Sequence, residues 1–182
     1  MNRKKDVLII GAGPAGYAAA IRLGQLGRQA ILIEEVRPGG ICLNKGCIPT
    51  KALFSAINMI AQAQQASQFG LEFDLAGMDT GKLNSWKNRI VRQVREGVSF
   101  LLAEYGVEVV SGKAKFIEDK VIEVKDNNGR SRFMEADNVI IAVGSQPKSI
   151  PGVAFNRNTI LSPEQALDVS CLPSEVAVIG GG

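Results

Sequence analysis

The sequence predicts an α/β fold, a parallel sheet packed with helices and extended by a small antiparallel β unit. Val7, Leu8, Ile9 and Ile10 form an unbroken apolar run, as expected of a parallel strand covered on both faces. Gly11-Ala12-Gly13-Pro14-Ala15-Gly16 follows at once and opens an alanine-rich stretch that reads as a helix. Further on, Asp126-Asn127-Asn128-Gly129 separates two strand-like runs, and its Asn-Gly step marks a hairpin.

The length of 182 residues suits one domain, and 46% apolar with 21% charged residues is ordinary for a globular chain that can bury a core. A net charge of +3, with neither a basic block nor interleaved aromatics, gives no case for nucleic-acid binding. Met1-Asn2-Arg3-Lys4-Lys5 ahead of the first apolar run imitates a secretory leader, but Asp6, the Gly/Pro cluster and Arg22 interrupt any hydrophobic core. No run reaches membrane-crossing length, so the expected location is cytoplasmic, with no membrane partner. In that compartment a disulfide is more often catalytic than structural.

The first unit runs from a strand at Asp6 to Ile10, through a helix at Tyr17 to Leu26, to a second strand at Gln29 to Ile33. Gly27 ends the helix. Gly11 permits the tight turn, Gly13 lets a pyrophosphate approach the backbone, and Gly16 allows close helix–strand packing. The N–H groups of the first helical turn, which includes Pro14 and Ala15, face the anion. Glu34, with Glu35 beside it, lies about twenty residues beyond the motif and can accept hydrogen bonds from a ribose hydroxyl. Glycines alone would be weak grounds. Strand, motif, helix, strand and acid in this order read as a Rossmann-like dinucleotide site, without distinguishing FAD from NAD.

Gly39-Gly40-Ile41-Cys42-Leu43-Asn44-Lys45-Gly46-Cys47-Ile48-Pro49-Thr50-Lys51 then places two cysteines five positions apart. A five-residue helical step rises roughly 7.5 Å, beyond the roughly 7 Å limit for bridged alpha carbons. A Cys42–Cys47 bond therefore requires the backbone to leave helical form, which Asn44 and Gly46 make easy. So small a ring removes little loop entropy, so it suits a reagent better than a staple. Two free buried thiols are the competing reading. Zinc is disfavoured, because only Cys171 and no histidine could complete the ligand set; no metal site is expected.

Beyond the cysteines, a helix is expected from Ile48 to about Gln68, with Leu53, Ile57, Ile60 and Ala61 as its apolar stripe and Pro49 in its first turn. Residues 69 to 81 form a connection. A second long helix spans about Lys82 to Tyr105, with Trp86, Ile90, Val94, Val98, Leu101 and Tyr105 at helical spacing. Trp86 reads as packing, and Arg89, Arg92 and Arg95 as a solvated polar side. Strands follow at Val107 to Val110, Lys113 to Ile117, Val121 to Lys125, Arg130 to Glu135 and Val139 to Val143. Ser162-Pro163-Glu164-Gln165 starts a capped helix, and Glu175 to Ile179 reads as a new strand before Gly180-Gly181-Gly182. Cys171 is assigned a packing role.

Gly-Gly-Ile-Cys-Leu-Asn-Lys-Gly-Cys-Ile-Pro-Thr-Lys-Ala-Leu resembles the redox-active segment of the class I pyridine nucleotide-disulfide oxidoreductases, most closely their dihydrolipoamide dehydrogenase branch, and the likeness runs through the chain. The resemblance implies that Cys42 and Cys47 form a redox disulfide against FAD. It makes Cys42 the interchange thiol attacked by a dithiol and puts Cys47 on the flavin side, with NAD as final acceptor. It places Gly40, Ile41, Gly46 and Lys51 near the flavin, where the lysine charge would stabilise the reduced ring; a solvent-facing lysine is the plainer alternative. It also puts the Ala114 backbone at the adenine end. Ala142-Val143-Gly144, followed by Ser145, is similar to a second fingerprint, Ala-Thr-Gly; here valine removes the usual hydroxyl while the glycine turn remains.

The same resemblance divides the chain into an incomplete FAD-binding domain at 1–150, a connection at 151–174, and the first strand and turn of an NAD-binding domain at 175–182. It implies a homodimeric parent acting on a lipoyl-bearing protein of a 2-oxo acid dehydrogenase or related complex. The family also uses a histidine to activate the interchange thiol, and this sequence has none. The chain alone is therefore expected to lack dehydrogenase turnover. The alternatives are a piece of another flavin disulfide reductase, such as the mercuric reductase type, and a standalone flavin-binding module.

Overall fold

The computed structural model describes residues 5–168 and 172–181, so Cys171 lies outside the described residues. Its centre is β1 (Lys5–Ile10), followed by α1 (Pro14–Gln25) and β2 (Ala30–Glu34). Two helices, α2 (Gly40–Lys45) and α3 (Cys47–Gln65), lead through a 3₁₀ turn at Ala66–Phe69 to α4 (Thr80–Glu104). Then come β3 (Glu108–Ser111), β4 (Lys113–Glu118), β5 (Val121–Lys125), β6 (Ser131–Ile141) and the single turn α5 (Pro163–Ala166).

One six-stranded sheet runs in the order β3-β2-β1-β6-β5-β4. The β1 strand pairs in parallel with β2 and β6, and β2 with β3, whereas β4, β5 and β6 pair antiparallel. This is the expected parallel sheet with an antiparallel unit. Alternation along the strands sorts the core into two layers. Val7, Ile9, Ala30 and Leu32 pack with Ala20 of α1 and Val91, Val98 and Leu102 of α4. Leu8, Ile31 and Ile33 pack with Ile122, Val124 and Met134 of the ribbon. Leu8, Ile9, Leu32 and Ile33 are essentially inaccessible, each stabilising the fold by ~1.5–3 kcal/mol through burial. The apolar run at 7–10 thus serves a strand covered by helices on one face and by the ribbon on the other.

Several expectations are corrected. The two strands predicted at Arg130 to Glu135 and Val139 to Val143 are one. The first half of β6 pairs antiparallel with β5, and the second half pairs in parallel with β1. Ala136 is fully buried at the crossover and in register with Lys5, so the backbone passes straight through the polar Asp137-Asn138 step. The hairpin itself stands as expected. Asp126 accepts from Asn128 and Arg130 through its side chain, and Gly129 adopts φ +81°.

The apolar stripe of α4 is rotated from the expected one. Its buried positions are Lys87, Val91, Val98 and Leu102, while Val94 and Leu101 lie on the exposed margin. In α3 the buried residues are Pro49 and Ala52; Leu53 and Ile60 are half-buried, and Ile57 and Ala61 are exposed. Glu175 to Ile179 forms no strand, and Val176, Val178 and Ile179 are exposed. A strand needs a hydrogen-bonding neighbour, and none of the described residues pairs with this segment.

Candidate functional site

The site gathers at the C-terminal ends of β1, β2 and β6. Ile10 pairs with Ile33 and Ile141, so the three strands finish at one level, where Gly11, Glu34 and Ala142 lie side by side. The first crossover leads from β1 to β2, while β6 lies on the opposite side of β1. The crevice above them is therefore a topological switch point, where open α/β sheets bind ligands.

The glycines of the first turn have separate reasons. Gly11 takes φ +98°, and a side chain there would run into the Ala142 carbonyl oxygen. A side chain at Gly16 would collide with the Gly11 carbonyl oxygen. Gly13 differs. Its φ of −71° suits any residue, and a Cβ there would meet only the Gly40 Cα at 3.9 Å. Neither strain nor protein packing calls for glycine at 13, whereas an occupant approaching the backbone would. Gly13 caps α1 without any side-chain bond, Pro14 occupies the first helical position, and exposed Ala15 follows. The N-terminal turn thus leaves backbone donors facing outward.

Glu34 has a role beyond the expected one. Its carboxylate accepts the Ala12 N–H at 2.8 Å and the Val36 N–H at 2.9 Å. It braces the glycine turn and keeps one lone pair per oxygen for a further donor. Glu35 beside it is exposed. The Gly112 N–H donates to the Glu34 carbonyl at 2.9 Å, which ties the start of β4 to this corner. Ala114 is half-buried, opposite Val124 and against the ribbon layer.

The cysteines sit on two helices joined at Gly46. Cys42 in α2 and Cys47 at the start of α3 form a disulfide with alpha carbons 4.7 Å apart. Helical form breaks at Gly46, with φ −135° and ψ −101°. The expected departure from a regular helix is therefore found, although α2 itself was not anticipated. Cys47 is exposed and Cys42 half-buried, with exposed Ile41 preceding it.

The disulfide segment is built onto the glycine turn. Gly39 donates to the Ala12 carbonyl at 2.7 Å, and a Cβ at Gly40 would lie 2.6 Å from the Gly13 Cα. Gly39 and Gly40 take φ +111° and +60°, the left-handed conformations this approach requires. Ala142 closes the other side by donating to the Ile10 carbonyl at 2.8 Å, while Val143, Gly144 and Ser145 are exposed. With valine at 143, Gly144 takes φ +71° in the turn that follows. Lys51 is exposed one turn beyond Cys47; neither it nor Ala114 belongs to the glycine cluster.

Sequence reasoning missed two side chains. Arg95, read as part of a solvated face, donates to the Asn44 Oδ1 at 3.3 Å. Lys87 is only 3% exposed and donates to Asn84 Oδ1, the Leu167 carbonyl and Asp168 Oδ1, at 3.1, 2.5 and 3.1 Å. Its place on the buried face follows from the helical phase of Val91, Val98 and Leu102. The mis-set phase of α4 concealed both residues.

A redox-capable cysteine pair seated on a dinucleotide-type turn defines a disulfide-bearing α/β nucleotide-binding unit. Residues 5–182 match the family model described as pyridine nucleotide-disulphide oxidoreductase, and the chain belongs to that family. It is 40% identical over 96% of its length to a dihydrolipoyl dehydrogenase of Bacillus subtilis, and 38% identical over its whole length to one of Chlamydia muridarum. It spans 38% and 39% of those two relatives. The crystal structure of LpdA from Mycobacterium tuberculosis shares the fold with a TM-score of 0.85 at 22% identity, over 93% of this chain and 38% of that one.

Proposed function

We propose that this chain is the FAD-binding, disulfide-carrying part of a dihydrolipoyl dehydrogenase-like flavoenzyme. The observation that carries the reading is the seating of the Cys42–Cys47 helix pair on the glycine turn through Gly40 and Gly13. The residues fit a dinucleotide, since Gly13 is glycine without a protein reason and the α1 N-terminus has no side-chain cap. Gly11, Gly13, Pro14, Ala15 and Gly16 would hold the pyrophosphate, Glu34 and Glu35 the ribose, and the Ala114 backbone the adenine end. Gly40, Ile41, Cys42, Gly46, Cys47 and Lys51 would form the flavin side, with Ala142, Gly144 and Ser145 along the crevice. Bound FAD supplies a two-electron acceptor beside the thiols.

The chain's own part begins with thiol–disulfide exchange. A dithiol attacks the Cys42 sulfur, forms a mixed disulfide, and releases Cys47 as a thiolate; the second substrate thiol then displaces Cys42. The substrate leaves oxidised, and two electrons reside on the cysteines. Lys51, one turn past Cys47, carries the nearby positive charge. The names of the relatives favour a lipoyl group as the dithiol, on a protein of a 2-oxo acid dehydrogenase complex, with NAD as final acceptor and a homodimeric parent.

Residues 1–150 then form the FAD-binding domain, 151–174 the connection, and 175–182 the opening of an NAD-binding domain. Without a histidine, this chain alone gives little or no lipoamide-dependent NAD reduction. Titration of the chain with FAD and with NAD, each followed by gel filtration, tests the cofactor assignment. FAD retention with no NAD retention supports it, and preferential retention of NAD contradicts it.

A further inference from the structure

The six-residue helix α2 carries Cys42; Leu43 seats it in the core, and its side-chain hydrogen bonds centre on one amide. The Asn44 Nδ2 donates to the Pro38 and Gly40 carbonyls, each at 3.0 Å, while its Oδ1 accepts from Arg95 of α4. The two carbonyls can only accept and a guanidinium can only donate, so these partners fix the amide's orientation. Arg95 is half-buried, unlike exposed Arg89 and Arg92 on the same helix. Among the described residues, the other side-chain polar tie of α2, Lys45 to Glu164 at 3.2 Å, has a lysine side chain 61% exposed and so contributes little.

We propose that Arg95 is a positioning residue for the Cys42–Cys47 pair, acting through Asn44 to keep the two sulfurs within bonding reach when they are reduced. The inference rests on the redox reading of the pair. The brace and the disulfide order the same short segment. Where the brace is present, closing the disulfide costs less further ordering, so the two ties strengthen each other, and the coupling is reciprocal. Loss of Arg95 lets the reduced segment spread, lowers the effective concentration of one thiol at the other, and shifts the exchange equilibrium toward the dithiol.

The test equilibrates the 182-residue chain with mixtures of reduced and oxidised dithiothreitol. One reagent thiolate attacks the protein disulfide and the second closes the reagent ring, moving two electrons and two protons to the cysteines. Alkylation and mass spectrometry then read the fraction reduced. Arg95→Met lowers the equilibrium constant for the protein disulfide by about fivefold, the scale of one ordinary intramolecular hydrogen bond. Arg95→Lys restores part of it, Arg92→Met leaves it unchanged, and Asn44→Ala with Arg95→Met is no worse than Asn44→Ala alone.

A folded Arg95→Met chain with the wild-type equilibrium overturns the inference alone, as does full additivity in the double variant. If Arg95→Met does not fold, Arg95→Lys is read in its place, and a wild-type equilibrium there overturns the inference. A wild-type disulfide that resists dithiothreitol altogether overturns the redox reading and this inference with it.

Discussion

The carboxylate of Glu34 accepts the backbone N–H of Ala12 at 2.8 Å, locking the end of β2 to the middle of the glycine turn. Ala12 is fully buried, so this N–H has no access to water. An acid expected to serve a ligand also serves the apo fold. Glu34→Ala should therefore destabilise the flavin-free chain by about 1–3 kcal/mol, the cost of orphaning a buried donor. Thermal unfolding without FAD would show it; an unchanged melting temperature would limit Glu34 to ligand binding.

Gly13 and Gly16 should respond differently to alanine. Gly13→Ala meets no protein atom closer than 3.9 Å, so its unfolding free energy should fall by no more than about 1 kcal/mol, the difference between glycine and alanine at an N-cap, while FAD retention is lost. In Gly16→Ala the new methyl collides with the Gly11 backbone oxygen, which costs at least ~1–3 kcal/mol with or without flavin. Denaturant melts paired with flavin retention separate the two. Equal destabilisation would mean that Gly13 is glycine for a structural reason.

Lys87 anchors the segment that follows Leu161 to the N-terminal third of α4. Lys87→Met should speed amide exchange at residues 164–168 about tenfold or more, as local opening loses its main polar tie. The amides of β1 and β2 should keep their protection. Hydrogen exchange read by mass spectrometry checks this, and a uniform loss across the sheet would instead make Lys87 a core residue.

Cys47 is exposed and Cys42 half-buried in the flavin-free chain. After reduction, iodoacetamide should modify Cys47 at least as fast as Cys42. Added FAD should protect Cys47 selectively if it lies on the flavin side. Peptide mapping reads both rates, and selective protection of Cys42 would reverse the assigned roles.

The parts legible in the sequence were those written in local backbone rules. Gly16 against the Gly11 carbonyl, the Asp126–Gly129 hairpin and the Ser162–Gln165 capping box each depend on a few neighbouring residues. What escaped depended on partners distant in sequence. The union of two expected strands into β6 is decided by Lys5 against Ala136, and the burial of Lys87 by Asp168 and Leu167. The Arg95–Asn44 contact crosses 51 positions. The segment Glu175 to Ile179 shows the converse, because its apolar run suits a strand but acquires one only from a neighbour that can pair with it.

The central claim is that the cysteines and a flavin share one site. The chain should be loaded with FAD, freed of excess flavin, and treated anaerobically with a dithiol while its visible spectrum is recorded. A retained flavin spectrum that gains a long-wavelength thiolate-to-flavin charge-transfer band, absent in Cys47→Ser, is the predicted result. Retained flavin whose spectrum is unaffected by reduction of the Cys42–Cys47 bond would contradict the claim.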